Sequence, residues 1–196
     1  HTIVCGYGKN GSKVCEELHR SRVPFALIEI NPDFIDNTYA HAKNVFLVQG
    51  DATSDEVLLS AGIERAKTII TALPRDAENV FVTLTARELN PGIKIVARAS
   101  EESSIRKLTR AGAHHVVMPD AIGGTHMANL VTRPEVVEFL DMLHGVGNTD
   151  LKLDEMRFEE FKKEFYGKSL REMNLRGLTG VNVIGYKDSS HGFIFN

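Results

Sequence analysis

The stretch "HTIVCGYGKNG", residues 1–11, decides the fold. Thr2 to Cys5 is an apolar run that reads as a strand, and it ends at a Gly-x-Gly-x-x-Gly turn built from Gly6, Gly8 and Gly11. Taken alone such a turn is a weak signal, because glycine-rich turns are common. Here it follows a strand and opens a helix on which Val14 and Leu18 share a face, and that context gives it meaning. Gly6 allows the tight turn, Gly8 lets the backbone approach a pyrophosphate, and Gly11 lets helix and strand pack closely. Free N–H groups and the helix dipole then suit phosphate. The beginning in mid-strand reads as a segment of something larger.

Outward from that turn, strand and helix signals alternate. Strands are expected at 24–30, 44–50, 67–73, 93–99 and 114–119, after the first at 2–5. Helices are expected at 10–20, after the N-cap pair Asn31-Pro32, after a Thr53/Glu56 capping box closed by Gly62, at 76–89 and up to Gly112. The last two carry Val82, Ala86 and Leu89, and Ile105 and Leu108, on their inward faces. Six apolar strands alternating with helices predict a parallel sheet covered on both faces, a Rossmann-like doubly wound α/β lobe over 1–119.

Beyond Pro119 the pattern changes. A helix is expected at 121–131, and Thr132-Arg133-Pro134 breaks and restarts the chain. Residues 136–143 are apolar most of the way round, so they need cover on several sides, from a second subunit or from their own lobe. The segment 120–146 therefore reads as an arm, with a linker at 144–150. Residues 147–196 hold a charged stretch, "GKSLREMNL", then a strand, a polar turn and a second strand. That is too little for an independent core, so this α+β subdomain reads as incomplete.

The bulk composition excludes several functions. The 196 residues are 42% hydrophobic and 25% charged, as in a soluble globular protein. A formal net charge of −3 offers no field for polyanions, which argues against nucleic acid. Neither a membrane-spanning apolar run nor a signal-peptide leader is present. The two cysteines, Cys5 and Cys15, read as reduced core thiols of a cytosolic protein.

The second half of the dinucleotide fingerprint is an acid at the end of strand two. Glu29 stands there, able to accept from both hydroxyls of an adenosine ribose and to repel a 2′-phosphate. NAD or a plain adenine nucleotide is thus favoured over NADP, the alternative being that Glu29 is a solvated strand-end residue. Asp51, after strand three, is expected at the adenine edge or as an unliganded helix-start residue. Parts for hydride transfer are missing: the histidines are scattered, and Ser100, Ser103 and Ser104 read as helix-cap chemistry. His114 and His115 read as structural, one inward and one outward. No cluster has zinc spacing. A cofactor site without a reaction describes a sensor.

Several segments together give a resemblance that spans essentially the whole chain: "GYGKNG" (6–11), "GDATSDEVLLSAGIERA" (50–66), "DAENVFVTLTARELNP" (76–91), "IVARAS" (95–100), "LTRAGAHHVVMP" (108–119) and "RPEVVEFLD" (133–141). The chain resembles the RCK or KTN domains, regulators of potassium conductance, and looks more like the channel-type members than the Trk/Ktr uptake regulators. That resemblance implies a cytosolic, non-enzymatic gating-ring domain beneath a membrane potassium-channel pore. It also implies homodimers through crossover helices, assembled into tetrameric or octameric rings. The implied ligand is NAD(H), ADP or ATP, held by Gly6, Tyr7, Gly8, Lys9, Asn10, Gly11, Glu29, Ile30, Asn31, Asp51, Ala52 and Thr53. Ala72, Leu73, Pro74 and Asn79 are implied at the pocket mouth. Calcium-gated members place carboxylates where Arg98 and Ser100 stand, so calcium is not expected at strand five, though it stays open elsewhere. Arg98 suits a phosphate or a structural salt bridge. A soluble Trk/Ktr-type subunit is the first alternative, and an NAD-dependent oxidoreductase the remoter one.

Overall fold

The alternation read from the sequence becomes a parallel sheet whose strands all end on one edge. The computed structural model describes residues 1–31, 33, 39, 42–143, 153–188 and 192–195. Contacts group the chain into two units, His1–Val137 and Glu138–Asn196. In chain order the first contains β1 (Thr2–Cys5), α1 (Lys9–Arg20), β2 (Phe25–Glu29), β3 (Val45–Gln49), α2 (Asp55–Ser60) and β4 (Thr68–Thr71). There follow α3 (Asp76–Leu89), β5 (Lys94–Arg98), α4 (Glu102–Ala111), β6 (His115–Val117), α5 (Pro119–Thr132) and α6 (Pro134–Leu143), the last crossing the division between units.

The strand order is β3-β2-β1-β4-β5-β6, every pair parallel. Register places Cys5 beside both Ile28 and Thr71, so β1 lies between β2 and β4 with their carboxyl ends level. Chain direction away from β1 reverses there, which opens the crevice where such sheets take ligands. Strand periodicity divides the core. Ile3, Cys5, Ala26 and Ile28 face one layer with Leu58, Ile69, Val82 and Leu108, and Val4, Phe25 and Leu27 face the other with Cys15 and Tyr39. Each fully buried Ile or Leu stabilises by about 1.5–3 kcal/mol. Both thiols are free and buried, and that burial pushes each up to about 12, so they act as small apolar side chains.

Local chemistry departs from the sequence expectation in four places. The Thr53/Glu56 capping box does not form. Ser54 is the N-cap of α2, and Thr53 gives both its N–H and its hydroxyl to Asp51 Oδ1, at 2.9 and 2.8 Å. Pro119 starts α5 at its first helical position instead of ending β6, where its fixed φ suits the helix. Both His114 and His115 are exposed; His114 is structural through Nδ1, which accepts the Ile95 N–H at 3.0 Å. The expected serine caps of α4 are replaced by a carboxylate from a neighbouring helix. Asp76 Oδ1 accepts from Ser100 N at 2.8 Å and its Oδ2 from Glu101 N at 3.0 Å. Asn31 Oδ1 accepts Asp33 N at 3.1 Å, as the expected N-cap would, while Pro32 and the linker at 144–150 lie outside the described residues.

In the second unit, Ser169 and Glu172 form a reciprocal capping box at the start of α7 (Leu170–Met173), and Asn174 turns left-handed (φ +46°) before α8 (Leu175–Thr179). β7 (Gly185–Asp188) and β8 (Gly192–Phe195) pair antiparallel, as the strand–turn–strand reading expects. Among the described residues of this unit Met173 is the buried apolar side chain, while Phe193 and Phe195 on β8 are exposed. No helix of the described residues is long and apolar enough to cross a membrane.

Asp76 has a testable pH signature. Desolvation pushes its carboxyl up, but hydrogen bonds from the Ser104 side chain, Glu101 N–H and Ser100 N–H outweigh this and hold it below the ordinary value of 3.8. A depressed acid contributes stability that is present above that ordinary value and is lost as pH falls through the lower folded one. Asp76→Asn is therefore expected to lose about 1 kcal/mol at pH 7, the scale of one helix cap. The gap from the parent should close below pH 3.8 in urea melts run across pH.

Candidate nucleotide site

At the carboxyl end of β1, Gly6 turns with φ +93° and donates its N–H to Ile28 O at 2.8 Å. Any Cβ at Gly6 would meet Leu73 Cδ2 at 3.1 Å and Ala72 O at 3.2 Å. Gly11 is tighter still: a Cβ there would lie 1.9 Å from Gly6 O, so only glycine lets α1 press against the turn. Gly8 is the reverse case: among the described residues, its chain neighbours aside, nothing lies within 4 Å of such a Cβ. The open volume faces the start of α1, where Gly8 is the N-cap, supplies no side-chain bond, and no acid occupies the first turn. The other described helices of the lobe carry Asp55 and Glu56, Asp76 and Glu78, Glu102, Asp120, and Glu135 in their first turns. Among the described residues, the α1 terminus thus has no acid of its own in its first turn, and a helix start of that kind suits an anion.

Glu29 stands at the rim of this turn. Its Oε2 accepts Tyr7 N at 2.7 Å and its Oε1 accepts Asn31 N at 3.0 Å. The carboxylate that the sequence assigns to a ribose therefore sits directly on the glycine turn. Ile30 beside it is 65% exposed, an apolar surface at the same rim. The Lys9 and Asn10 positions open α1, Lys9 exposed and Asn10 partly so.

The remaining expected residues are busier within the protein. Asp51 is exposed and is held below its ordinary range by the Thr53 N–H and hydroxyl, so it shapes the entry to α2. Ala52 is buried, as is Ala72. Leu73 and Pro74 form the exit from β4 on the other side of the crevice. Asn79 is fully buried: its Oδ1 accepts Leu73 N at 3.0 Å, and its Nδ2 donates to Leu73 O at 3.0 Å and Arg98 O at 3.1 Å. Arg98 Nη1 donates to Leu73 O at 2.9 Å and Pro74 O at 3.2 Å. Both side chains brace the β4 exit. The sequence reading missed Asp76, which holds the chain after β5 through Ser100 N and Glu101 N, and Asp120, which lies 3.9 Å from Arg98 Nη2. Acids in a helix's first turn were the available signal, but such residues ordinarily serve their own helix. Among the described residues no group of three His, Cys, Asp or Glu side chains is placed to hold a metal.

Strand order and the glycine turn define a Rossmann-type lobe, with Glu29 at the rim of that turn. Residues 2–119 match the TrkA-N domain family, and the chain belongs to it, as an RCK-type domain. It is 44% identical over 191 residues to Probable potassium channel protein 2 of Methanocaldococcus jannaschii, covering 95% of this chain and 56% of that protein. Potassium channel protein 1 of the same organism is 37% identical over 187 residues, covering 95% and 55%. Ktr system potassium uptake protein A of Vibrio alginolyticus is 26% identical over 186 residues, covering 94% and 79%. The chain spans about half the length of the two channel relatives it matches. Among solved structures, the GsuK channel bound to NAD has a TM-score of 0.61 at 30% identity, covering 99% of this chain and 32% of that one. GsuK bound to ADP has a TM-score of 0.59 at 37% identity, covering 66% and 33%.

The two inner glycines should separate by experiment. Gly11→Ala is expected to cost about 3 kcal/mol or more, since the backbone itself must move. Gly8→Ala should stay within about 1 kcal/mol of the parent, because its Cβ enters open space. Thermal denaturation of the two variants checks both.

Proposed function

We propose that this chain is the cytosolic regulatory domain of a potassium channel, binding NAD(H) or an adenine nucleotide and coupling its occupancy to pore opening. The observation that carries the reading is the convergence at the end of β1. There the acid-free α1 terminus, the unfilled space over Gly8 and the Glu29 carboxylate on Tyr7 N meet at one turn. Phosphates would take the α1 amides, the ribose hydroxyls would take Glu29, and adenine would lie against Ile30 toward Asp51. The names of the GsuK structures, which include NAD and ADP, support that ligand class. The work done is binding: a ligand with different affinities for two arrangements of the assembly shifts the balance between them.

Assembly is the second part of the proposal. Ile122, Met127, Leu130 and Val131 on α5 are all exposed, and Val136, Phe139 and Leu140 on α6 likewise. An apolar surface on successive helices is the mark of an interface, and a second copy of this chain is the occupant the RCK kinship supplies. A Trk/Ktr-type uptake subunit is the alternative, supported by the Ktr relative, most of whose length is matched. Hydride transfer is disfavoured because Asn79 and Arg98, at the β4 and β5 ends, are committed to backbone atoms rather than free for acid–base work.

Calorimetric titration of NAD+, NADH, NADP+, ADP, ATP and calcium tests the ligand. NAD+ or ADP is expected to bind, with NADP+ weaker by roughly tenfold or more, since its 2′-phosphate meets a carboxylate. Glu29→Gln should weaken NAD+ roughly tenfold and narrow the NAD+/NADP+ gap. Binding of calcium without any nucleotide would reduce the glycine turn to scaffold and overturn the reading. For the assembly, Val131→Asp is expected to move the sedimentation coefficient toward the monomer.

A further inference from the structure

The corner of the sheet at the amino ends of β2 and β3 holds a groove, at the opposite end of the strands from the glycine turn. Side chains alternate along β3, so Phe46 and Val48 share one face. Val48 is covered there in the core cluster that includes Leu58 of α2, but Phe46 is 60% exposed. Length is the reason. With six residues α2 is about 9 Å long, too short to cover the roughly 16 Å of β3. Beside the uncovered ring are Ala26, its neighbour in register on β2, and Ala61 at the end of α2, both small and buried. The result is an open cavity of about 440 Å³, lined by these residues together with Phe25 and Val45. That volume falls within the ~300–1,000 Å³ of small-molecule sites.

The rim carries charge of one sign. Lys43 precedes β3, and Arg65 ends the short turn Ile63–Arg65 after α2. Both line the cavity, and among the described residues lining it there is no Asp or Glu. Neither cation has a carboxylate at ion-pair distance among the described residues. A Cβ on Gly62 would lie 3.8 Å from Arg65 Nη2, so the guanidinium stands over the end of α2 at the edge of the groove. In a chain with more acids than bases, an acid-free groove with two unpaired cations is complementary to an anion. A planar guanidinium matches a carboxylate through two parallel hydrogen bonds, and an exposed phenyl ring favours a second ring against it.

We propose that this groove binds a small aromatic carboxylate, its ring laid against Phe46 between β3 and the end of α2, and its carboxylate held by Arg65 with Lys43 beside it. The site is separate from the nucleotide crevice and stands whether or not a nucleotide binds at the glycine turn.

The probe is naphthoate, with neutral naphthamide as its uncharged twin and inorganic phosphate as an anion without a ring. Each is titrated into the parent chain, Arg65→Gln and Phe46→Ala, with amide chemical shifts locating the site and calorimetry giving the affinity. Naphthoate is expected to bind the parent at about 1 mM or tighter, the range for a ligand of this size, and to shift amides in 43–46 and 61–65. Naphthamide and phosphate should each be weaker by about tenfold or more, and so should naphthoate on either variant. Shifts confined to residues 6–11, or loss of naphthoate binding when ADP is added, would place the anion at the α1 start and refute the groove. Equal binding of naphthamide and naphthoate would refute carboxylate recognition, as would an Arg65→Gln variant that binds like the parent. No shift in 43–46 or 61–65 at several millimolar naphthoate ends the proposal. Arg65 is exposed, so Arg65→Gln keeps the test decisive should Phe46→Ala fold poorly.

Discussion

The close approach of Gly11 to the Gly6 carbonyl is the constraint on which the crevice depends. A 1.9 Å distance from a would-be Cβ to a backbone oxygen means that α1 begins as near to the sheet as a helix can come. That nearness aims the first-turn amides at the turn itself and sets Tyr7 N where Glu29 can reach it. With a larger residue at either position the helix would stand off, and amides, carboxylate and β4 exit would no longer share one small volume.

Charge is distributed to match. Around the lobe, acids in the first turns of α2 to α6 answer their own helix dipoles, and Asp76 caps a second helix as well. Only α1, among these, lacks an acid in its first turn. Most of the described helix ends thereby use their polarity internally, and the α1 end has no first-turn acid with which to do so. On the β4 and β5 side the arrangement runs the other way, because Asn79 and Arg98 give their donors to carbonyls and make a wall.

The fold was largely legible because its signals are local and mutually consistent. Apolar runs of strand length, glycines at Gly62 and Gly112 in left-handed stops, and the Gly6-to-Gly11 spacing all point to one topology. Glu29 was legible for the same reason, since its place follows from strand two. What the sequence could not show is which polar side chain serves which neighbour across the sheet. Asn79 looked like a pocket residue and is a buried brace; Asp51 and Thr53 satisfy one another; Asp76 reaches α4 from across a loop. Each outcome depends on side-chain reach between elements far apart in sequence, about which periodicity and capping rules are silent.

The bonds from Tyr7 N and Asn31 N hold the Glu29 carboxylate at the glycine turn before any ligand arrives. Each of its oxygens has a second acceptor site, so a ligand hydroxyl would share the carboxylate with those amides rather than displace them. The side chain's freedom is already given up in folding, so a partner that meets it there loses little more to ordering.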